Sequence, residues 1–346
     1  MKRILMLLAL AETFSGIQSW SVQKDSESNY TNVLNFHAIK DTVALRSVSN
    51  IENVHFINAN IDTVTQSFSN QLEKCVWLNF TNGTVKAVLI NSKLLMIDLN
   101  NTATEKIIIE QGQEYKLVTL LIRKSKLTRI PPNVNQLKQL KRIDIIESWI
   151  EYVSLNDFNG LDNLYEIDLS DNRIKQVQTS DFVSLLTLFR LGFHNNRLYQ
   201  LDTCRWDMPS LAELRLNNNN LVHFSVGHFP SLKLLALASN PMNCAWMTSL
   251  VELLQRRAKY FWFGYKFTQD EWSCNGASLG DFDVHCPSTP EKIQKLDPDS
   301  RSRLEKIESA IHKLDSKLND QYNMANDMIE TMYRTAIARA FWGKRN

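Results

Sequence analysis

The chain has 346 residues, of which 44% are hydrophobic and 22% are charged, and it contains only 10 Gly and 8 Pro. This composition is typical of folded proteins and excludes a wholly disordered or collagen-like chain. The 39 Lys and Arg residues nearly balance the 37 Asp and Glu residues, and a net charge of +2 does not supply the basic surface that nucleic-acid binding requires. We therefore predict a folded protein without a nucleic-acid partner.

The first residues have the pattern of a secretion signal. Lys2 and Arg3 precede an apolar run from Ile4 to Leu10, and small and polar residues follow up to Trp20. This order predicts a signal peptide over residues 1–19. No later apolar stretch approaches the ~20 residues that a membrane-spanning helix needs, so the sequence predicts secretion into an oxidising extracellular compartment. Four Asn-x-Ser/Thr sequons fit this route and are predicted to be glycosylated, namely Asn29, Asn79, Asn82 and Asn100.

A repeat runs through residues 51–243, after a predicted N-terminal cap region over residues 20–50. Four segments fit the leucine-rich-repeat pattern LxxLxLxxNxL in full, and they begin at Leu164, Leu188, Leu211 and Leu232. Five weaker copies precede them, at Ile51, Cys75, Leu94, Leu117 and Leu140. The pattern predicts an α/β solenoid, a leucine-rich-repeat horseshoe in which each unit adds one short strand to a parallel sheet and completes its core against its neighbours.

The Asn of this pattern is predicted to turn the chain off the strand, with its amide bonded to backbone groups that the turn leaves unpaired. It is present in the four complete copies, as Asn172, Asn196, Asn219 and Asn240. The five earlier copies hold small residues at that place, namely Ala59, Gly83, Thr102, Ser125 and Ser148. We therefore expect the N-terminal half to be less regular.

Strand residues between the core positions are predicted to face the concave surface, where such solenoids bind partners. One predicted column alternates in charge and contains Arg142, Glu166, Arg190 and Glu213. Adjacent strands lie ~4.8 Å apart, so these side chains are predicted to pair. The three sequons Asn79, Asn82 and Asn100 are predicted on the same face, where sugars would direct partners towards later repeats.

Four acids with like-charged neighbours are the candidate site for a basic partner: Asp144, Glu147, Asp168 and Asp171. The alternative is that nearby basic residues neutralise them without a partner. These are Arg123, Lys124, Arg142, Arg190 and Arg215.

The segment Asn240-Pro-Met-Asn-Cys244 and the apolar run that follows resemble a leucine-rich-repeat C-terminal cap, predicted here over residues 244–286. Such caps begin Cys-x-Cys and contain two disulfides, whereas this chain has Trp246 in the second place. The resemblance implies a Cys244–Cys274 disulfide that leaves Cys286 as a candidate for an intermolecular bridge. A competing arrangement pairs Cys204 with Cys244 and Cys274 with Cys286. Cys75 is predicted to be a buried core thiol.

Three prolines mark a linker over residues 287–300, and a heptad pattern follows over residues 301–340. Its seam consists of Leu304, Ile307, Ile311, Leu314, Leu318, Ala325, Met328 and Met332. Apolar steps of three and four with charged flanks predict a coiled coil, which favours an oligomer. The alternative is an amphipathic helix folded back on the cap.

No catalytic, phosphate-binding, cofactor-binding or metal-binding motif occurs, so we predict a binding protein with no cofactor rather than an enzyme. The order of leader, repeats, Cys-x-Trp cap and coiled coil resembles the leucine-rich-repeat immune proteins of mosquitoes. The resemblance implies a secreted haemolymph protein of innate immunity. It also implies a disulfide-linked homo- or hetero-oligomer with a related repeat protein, which binds a complement-like thioester protein or a pathogen surface. An extracellular matrix or signalling-ligand-binding repeat protein is the alternative function.

Overall fold

The computed structural model describes residues 20–25, 30–37, 42–224, 229–243 and 246–250. Several predicted features lie outside these ranges and are not part of the structural description. They are the signal peptide over residues 1–19, the sequon at Asn29, the three cysteines Cys244, Cys274 and Cys286, the linker and the coiled coil with its seam.

The described residues form strands and only short helices. The strands are β1 Ser21–Lys24, β2 Thr31–Leu34, β3 Asn53–Val64, β4 Trp77–Leu89, β5 Met96–Asn100, β6 Lys106–Ile108, β7 Thr119–Arg123, β8 Arg142–Ile146, β9 Tyr152–Ser154, β10 Glu166–Asp168, β11 Gln176–Gln178, β12 Val183–Ser184, β13 Arg190–Gly192, β14 Gln200–Leu201, β15 Trp206–Asp207, β16 Glu213–Arg215 and β17 Leu234–Ala236. The helices are α1 Thr42–Ser47, α2 Gln66–Gln71 and the two 3-10 helices Val134–Gln136 and Leu155–Phe158. Residues 246–250, the last that are described, are also helical.

One long sheet runs through this part of the chain in the order β1-β2-β3-β4-β5-β7-β8-β10-β13-β16-β17, with β6 paired to β4. Only β1 and β2 are antiparallel, and every later strand pairs in parallel with the strand one repeat away. Two smaller sheets, β14-β11-β9 and β12-β15, lie in the connecting segments. The chain therefore winds as a β-solenoid of about 8 turns, which confirms the predicted leucine-rich-repeat fold.

The core contains the predicted apolar positions in both the complete and the weak repeats. Ile167 and Leu169 of a complete copy are fully buried, and so are Leu78 and Phe80 of a weak one. Because a shift of one residue would turn a whole strand over, this burial confirms the predicted register even where the sequence pattern is faint.

The Asn of the complete repeats bonds to the backbone as predicted. The amide nitrogen of Asn172 donates to the carbonyls of Ile145, Leu169 and Ser170 at 2.6, 3.0 and 3.0 Å. Its amide oxygen accepts the Ile150 N–H at 3.2 Å. The other three complete repeats have the same set of bonds through Asn196, Asn219 and Asn240. One side chain therefore satisfies backbone groups of two successive turns.

The N-terminal half differs from the prediction that it would be less regular. Its strands β3 and β4, with 12 and 13 residues, are the longest of the described chain. They continue through the position that Asn occupies in the later repeats. There the backbones of Gly83 and Ala59 pair directly with each other, so no side-chain amide is needed to satisfy them. A Cβ on Gly83 would lie 2.2 Å from the Ala59 carbonyl oxygen. The small residues that weaken the pattern are therefore what lets two long strands pack closely.

Trp246 closes the last described turn of the solenoid. Its side chain is fully buried, and its ring lies 5.1 Å from that of Phe224. The indole N–H donates to the Phe224 carbonyl at 3.0 Å, and the Trp246 backbone N–H donates to the side-chain oxygen of Asn243 at 3.0 Å. The residue that replaces the second cap cysteine thus fills the end of the core by packing and hydrogen bonding.

Candidate binding surface

We call the outward face of the main sheet the concave face. The predicted column of alternating charge lies there in register: Arg142, Glu166, Arg190 and Glu213 are successive partners. Glu166 lies 3.4 Å from Arg142 and 3.9 Å from Arg190, and Glu213 lies 3.2 Å from Arg190 and 2.9 Å from Arg215. The predicted pairing along this ladder is confirmed. The structure thus supplies each carboxylate of the column with two guanidinium neighbours.

Asp144 is the most enclosed of the four predicted partner-binding acids, with a side chain only 4% exposed. Arg142 donates Nε to both of its carboxylate oxygens at 3.0 and 3.1 Å and Nη2 to Oδ2 at 2.7 Å. Burial raises the pKa of Asp144, and the bonds from Arg142 oppose that rise. A basic partner would therefore reach Asp144 only by displacing Arg142.

Asp168 is the register partner of Asp144 on the next strand. Its Oδ1 accepts the Ser170 N–H at 3.0 Å. The carboxylate also lies across Gly192, where an added Cβ would be 2.9 Å from Oδ1. Gly192 therefore provides the space in which this side chain folds back towards the sheet.

We call the part of the concave face formed by the main-sheet strands its floor, and the turn that follows each of these strands its rim. Glu147 and Asp171 lie on the rim. Both have a positive φ, 51° and 56°, because the chain turns there. Glu147 lies 3.7 Å from the Lys124 ammonium, and Asp171 accepts a bond of 2.8 Å from the Asn195 amide. The structure brings Asp144 and Asp168 together and separates them from the other two acids. A partner-binding role for these four acids stays a prediction.

The rim itself is a feature that the sequence reasoning missed. One residue per turn has a positive φ at this place, through Asn35, Asn58, Asn82, Asn101, Lys124, Glu147, Asp171, Asn195, Asn218 and Ser239. Amides join successive turns, as in Asn58 to Asn35 at 3.3 Å and Asn101 to Asn82 at 2.8 Å. The available signal was an Asn or Asp directly before the pattern position in most repeats, since these residues tolerate the left-handed region. The exceptions are Lys124, Glu147 and Ser239.

The N-terminal part of the concave face is aromatic and has few ion pairs. The Tyr30 ring lies 6.2 Å from that of His55 and 6.3 Å from that of Trp77, which is 39% exposed. Burial lowers the pKa of His55, whose Nε2 lies 2.9 Å from Thr81 Oγ1. This aromatic group thus contrasts with the charge ladder on the later strands.

Asp98 and Arg123 form the one ion pair between neighbouring strands of this part of the described floor. Arg123 Nη2 donates to Asp98 Oδ2 at 2.8 Å. Burial raises the pKa of Asp98, and Arg123 opposes the rise. The two opposite charges of this pair offset each other.

The three described sequons occupy two different places. Asn79 and Asn100 are on the concave face, half-buried, as predicted. Asn82 was predicted there too, but it lies on the rim and is exposed, because the chain turns at its positive φ of 59°. Of the three, Asn82 leaves most room for a sugar. Glycosylation stays a prediction.

Two cysteines fall within the described residues. Cys75 is a free and fully buried thiol, as predicted, and burial raises its pKa to about 11. Cys204 is disulfide-bonded, and because Cys75 is free, its partner lies outside the described residues. If Cys244 pairs with Cys274, Cys286 is then the cysteine left for Cys204. A bridge between chains through Cys286 therefore requires that Cys204 pairs with Cys244 or Cys274.

Neither a metal centre nor a membrane span stands out in the part of the chain that the structure describes. Its His, Cys, Asp and Glu residues form no cluster of three or more suited to a metal ion. None of its helices has the length and apolar character needed to cross a bilayer.

Comparison with known proteins supports the fold. Residues 162–221 match the family model described as Leucine rich repeat. The described chain is a leucine-rich-repeat solenoid. The crystal structure of the LRIM1 leucine-rich repeat domain is similar to it with a TM-score of 0.51 and 15% identity, covering 77% of this chain and 93% of that one. A chain of the LRIM1/APL1C complex is similar with a TM-score of 0.51 and 16% identity, covering 94% of this chain and 78% of that one. No curated protein matches the chain.

Proposed function

We propose that this protein is a secreted innate-immune recognition and scaffold protein. Its solenoid binds another protein or a pathogen surface, and its C-terminal segment joins it to a second repeat protein. The observation that carries the proposal is the unbroken parallel sheet. Columns of polar and aromatic side chains run across its seven strands from β5 to β17 and across the longer strands β3 and β4 before them. Such a surface suits binding to an extended partner.

The immune assignment rests on the resemblance to the mosquito leucine-rich-repeat immune proteins. The cap motif that carries this resemblance includes Trp246, which is fully buried against Phe224. The fold of a mosquito-type repeat protein, LRIM1, matches the chain at low identity. The likeness to a chain of the LRIM1/APL1C complex takes in 94% of this chain, which supports a repeat-protein partner.

Binding to a complement-like thioester protein is tested by capturing the secreted protein from haemolymph without reductant and identifying the proteins that copurify. We expect a related repeat protein and a thioester protein, with more of both after infection. Retention in extracellular matrix, with abundance that does not respond to infection, would favour the matrix or signalling function instead.

Oligomerisation through residues 301–340 is tested by Ile311→Asp, which places a charge in the predicted seam. The variant is expected to lose association while the repeat domain keeps its thermal stability, because solenoid units contact only their neighbours. If the stability of the repeat domain falls instead, the segment packs on the cap. Non-reducing gels of Cys286→Ser show separately whether a disulfide joins the chains.

A further inference from the structure

The floor of the concave face on β2 to β7 contains a row of buried polar atoms without a hydrogen-bond partner in the protein. They are Oδ1 of Asn32, Asn79 and Asp98, and Nε of Arg123. Asn32, His55, Asn79 and Asp98 are successive register partners, and this column crosses four neighbouring strands, or ~14 Å at the usual strand spacing. Within it His55 is bonded to Thr81, and Arg123 lies on β7 two residues beyond the partner of Asp98. Unpaired buried polar atoms are unfavourable, and several in one row indicate groups that a ligand or water completes.

The kind of atom narrows the chemistry of the ligand. Three of the four atoms are hydrogen-bond acceptors, and the fourth, the Arg123 Nε–H beside Asp98, is a donor. An ammonium group could serve only the acceptors, and a carboxylate or phosphate only the donor. A hydroxyl group donates and accepts, and so it fits both. Because Asp98 and Arg123 already neutralise each other, the floor favours an uncharged ligand.

Aromatic rings stand beside this row. Trp77 precedes Asn79 by two residues on the same face of β4 and is 39% exposed, and the Tyr30 ring lies 6.3 Å from it. A ring face packs against the C–H surface of a sugar, while the hydroxyl groups at the edge of that sugar reach polar side chains. An exposed ring beside mixed donors and acceptors is therefore suited to a carbohydrate.

We propose that the floor formed by Tyr30, Trp77, Asn79, Asp98 and Arg123 binds a neutral oligosaccharide. The sugar stacks on Trp77 and Tyr30, and its hydroxyl groups bond to Asn79, Asp98 and Arg123 after small rotations of those side chains. The site requires that neither Asn79 nor Asn100 carries a sugar, because Asn79 is part of the floor and Asn100 is the register partner of Arg123. A sugar on exposed Asn82 stays at the rim. The proposal does not depend on the scaffold role, since a repeat protein can bind its partners with or without a glycan.

The test is isothermal titration of the full-length secreted protein with three neutral probes: laminarihexaose, cellohexaose and maltohexaose. We expect at least one to bind, with affinity unchanged in high salt because the probe carries no charge. Trp77→Ala should weaken binding about tenfold or more, as for other buried aromatic contacts. Asp98→Asn should also weaken it. The matched control is Trp149→Ala, since Trp149 is 43% exposed, stacks with Arg173 and lies outside the floor.

Three results would overturn the proposal. One is the absence of binding to all three probes, which would leave a hydrated floor only. Another is equal binding by the wild type and Trp77→Ala, or equal loss in Trp149→Ala. The third is a glycan on Asn79 or on Asn100 in peptide mapping of the secreted protein, since the protein's own sugar would then cover this floor. None of these results bears on capture of a protein partner, which tests the scaffold role separately.

Discussion

The two halves of the solenoid wind the same way but are stabilised differently. In the N-terminal half, long strands pass straight through the turn, and aromatic rings fill the interior. Phe56 stacks on Phe80 at 5.0 Å and meets Phe36 edge-to-face at 5.3 Å. In the C-terminal half, the strands of the main sheet have three residues, and an Asn in each turn, buried or half-buried, bonds to the backbone. The backbone N–H and C=O groups of each turn are thus satisfied in two ways, by continued strand pairing in the N-terminal half and by Asn side chains in the C-terminal half.

The contrast extends to the concave face. The later strands carry a ladder of charges that pair with one another, while the earlier strands carry exposed aromatic rings. Among the described residues, buried polar atoms without a hydrogen bond occur in both halves, with four on the floor of the earlier strands and two, Arg190 Nε and His194 Nδ1, in the later part. A ladder that pairs with itself leaves less charge for a partner to bind. The earlier half therefore exposes aromatic surface where the later half has paired charges, although its sequence pattern is the weaker one.

Among substitutions that test this contrast between the two halves, we expect the largest loss of stability at Gly83. Gly83→Ala would place a Cβ 2.2 Å from the Ala59 carbonyl oxygen at a φ of +86°. Since both atoms belong to paired backbones, neither can move without separating β3 from β4. We expect a loss of about 3–5 kcal/mol in the free energy of unfolding, measured by chemical denaturation.

Gly112→Ala is the matched control for that change. Gly112 also has a positive φ, +74°, but no atom lies within 4 Å of an added Cβ. Only the backbone strain remains, so we expect a loss of about 1 kcal/mol. Equal losses for the two variants would contradict the close packing of β3 on β4 as the cause.

Asn172→Ala should have the next largest effect, because it removes one side chain that makes four bonds to buried backbone groups. We expect a loss of about 2–3 kcal/mol in the free energy of unfolding.

Ser125→Ala, at the same place in an earlier repeat, removes two bonds, one to Ser148 Oγ and one to the Leu127 N–H. Its loss should be about 1 kcal/mol. A larger loss at Ser125 would reverse the comparison between the two halves.

Much of the fold could be predicted because the repeat determines both core and register. The apolar spacing placed Ile167 and Leu78 correctly in the core, and the same spacing placed Glu166 beside Arg142 and Arg190. The chemistry of an amide also predicted the bonds of Asn172. Each of these follows from period and residue type alone, which are properties of the sequence.

Other features depend on contacts that a repeat pattern does not contain. The rotation of the chain at each turn moved Asn82, Glu147 and Asp171 from the floor to the rim. The enclosure of Asp144 by Arg142 is a choice of side-chain conformation. The close approach of Gly83 to Ala59 depends on two long strands, and the weak pattern in that region indicated less order rather than more.

The smallest expected effect is on the charge ladder, where Glu166→Gln keeps the size of the side chain and removes its charge. Glu166 is 16% exposed and lies between Arg142 and Arg190, so the variant leaves two guanidinium groups with one fewer carboxylate. These pairs are partly exposed, and we expect a loss of at most about 1 kcal/mol at low salt. Screening should reduce the loss as salt is raised. The control is Asp62→Asn, which breaks the exposed pair with Lys86 in the N-terminal half, where we expect no measurable change in thermal stability. If both variants behave alike, the ladder is a set of independent surface pairs. A salt-dependent loss at Glu166 alone would show that the later strands gain stability from their charges, whereas the earlier strands do not.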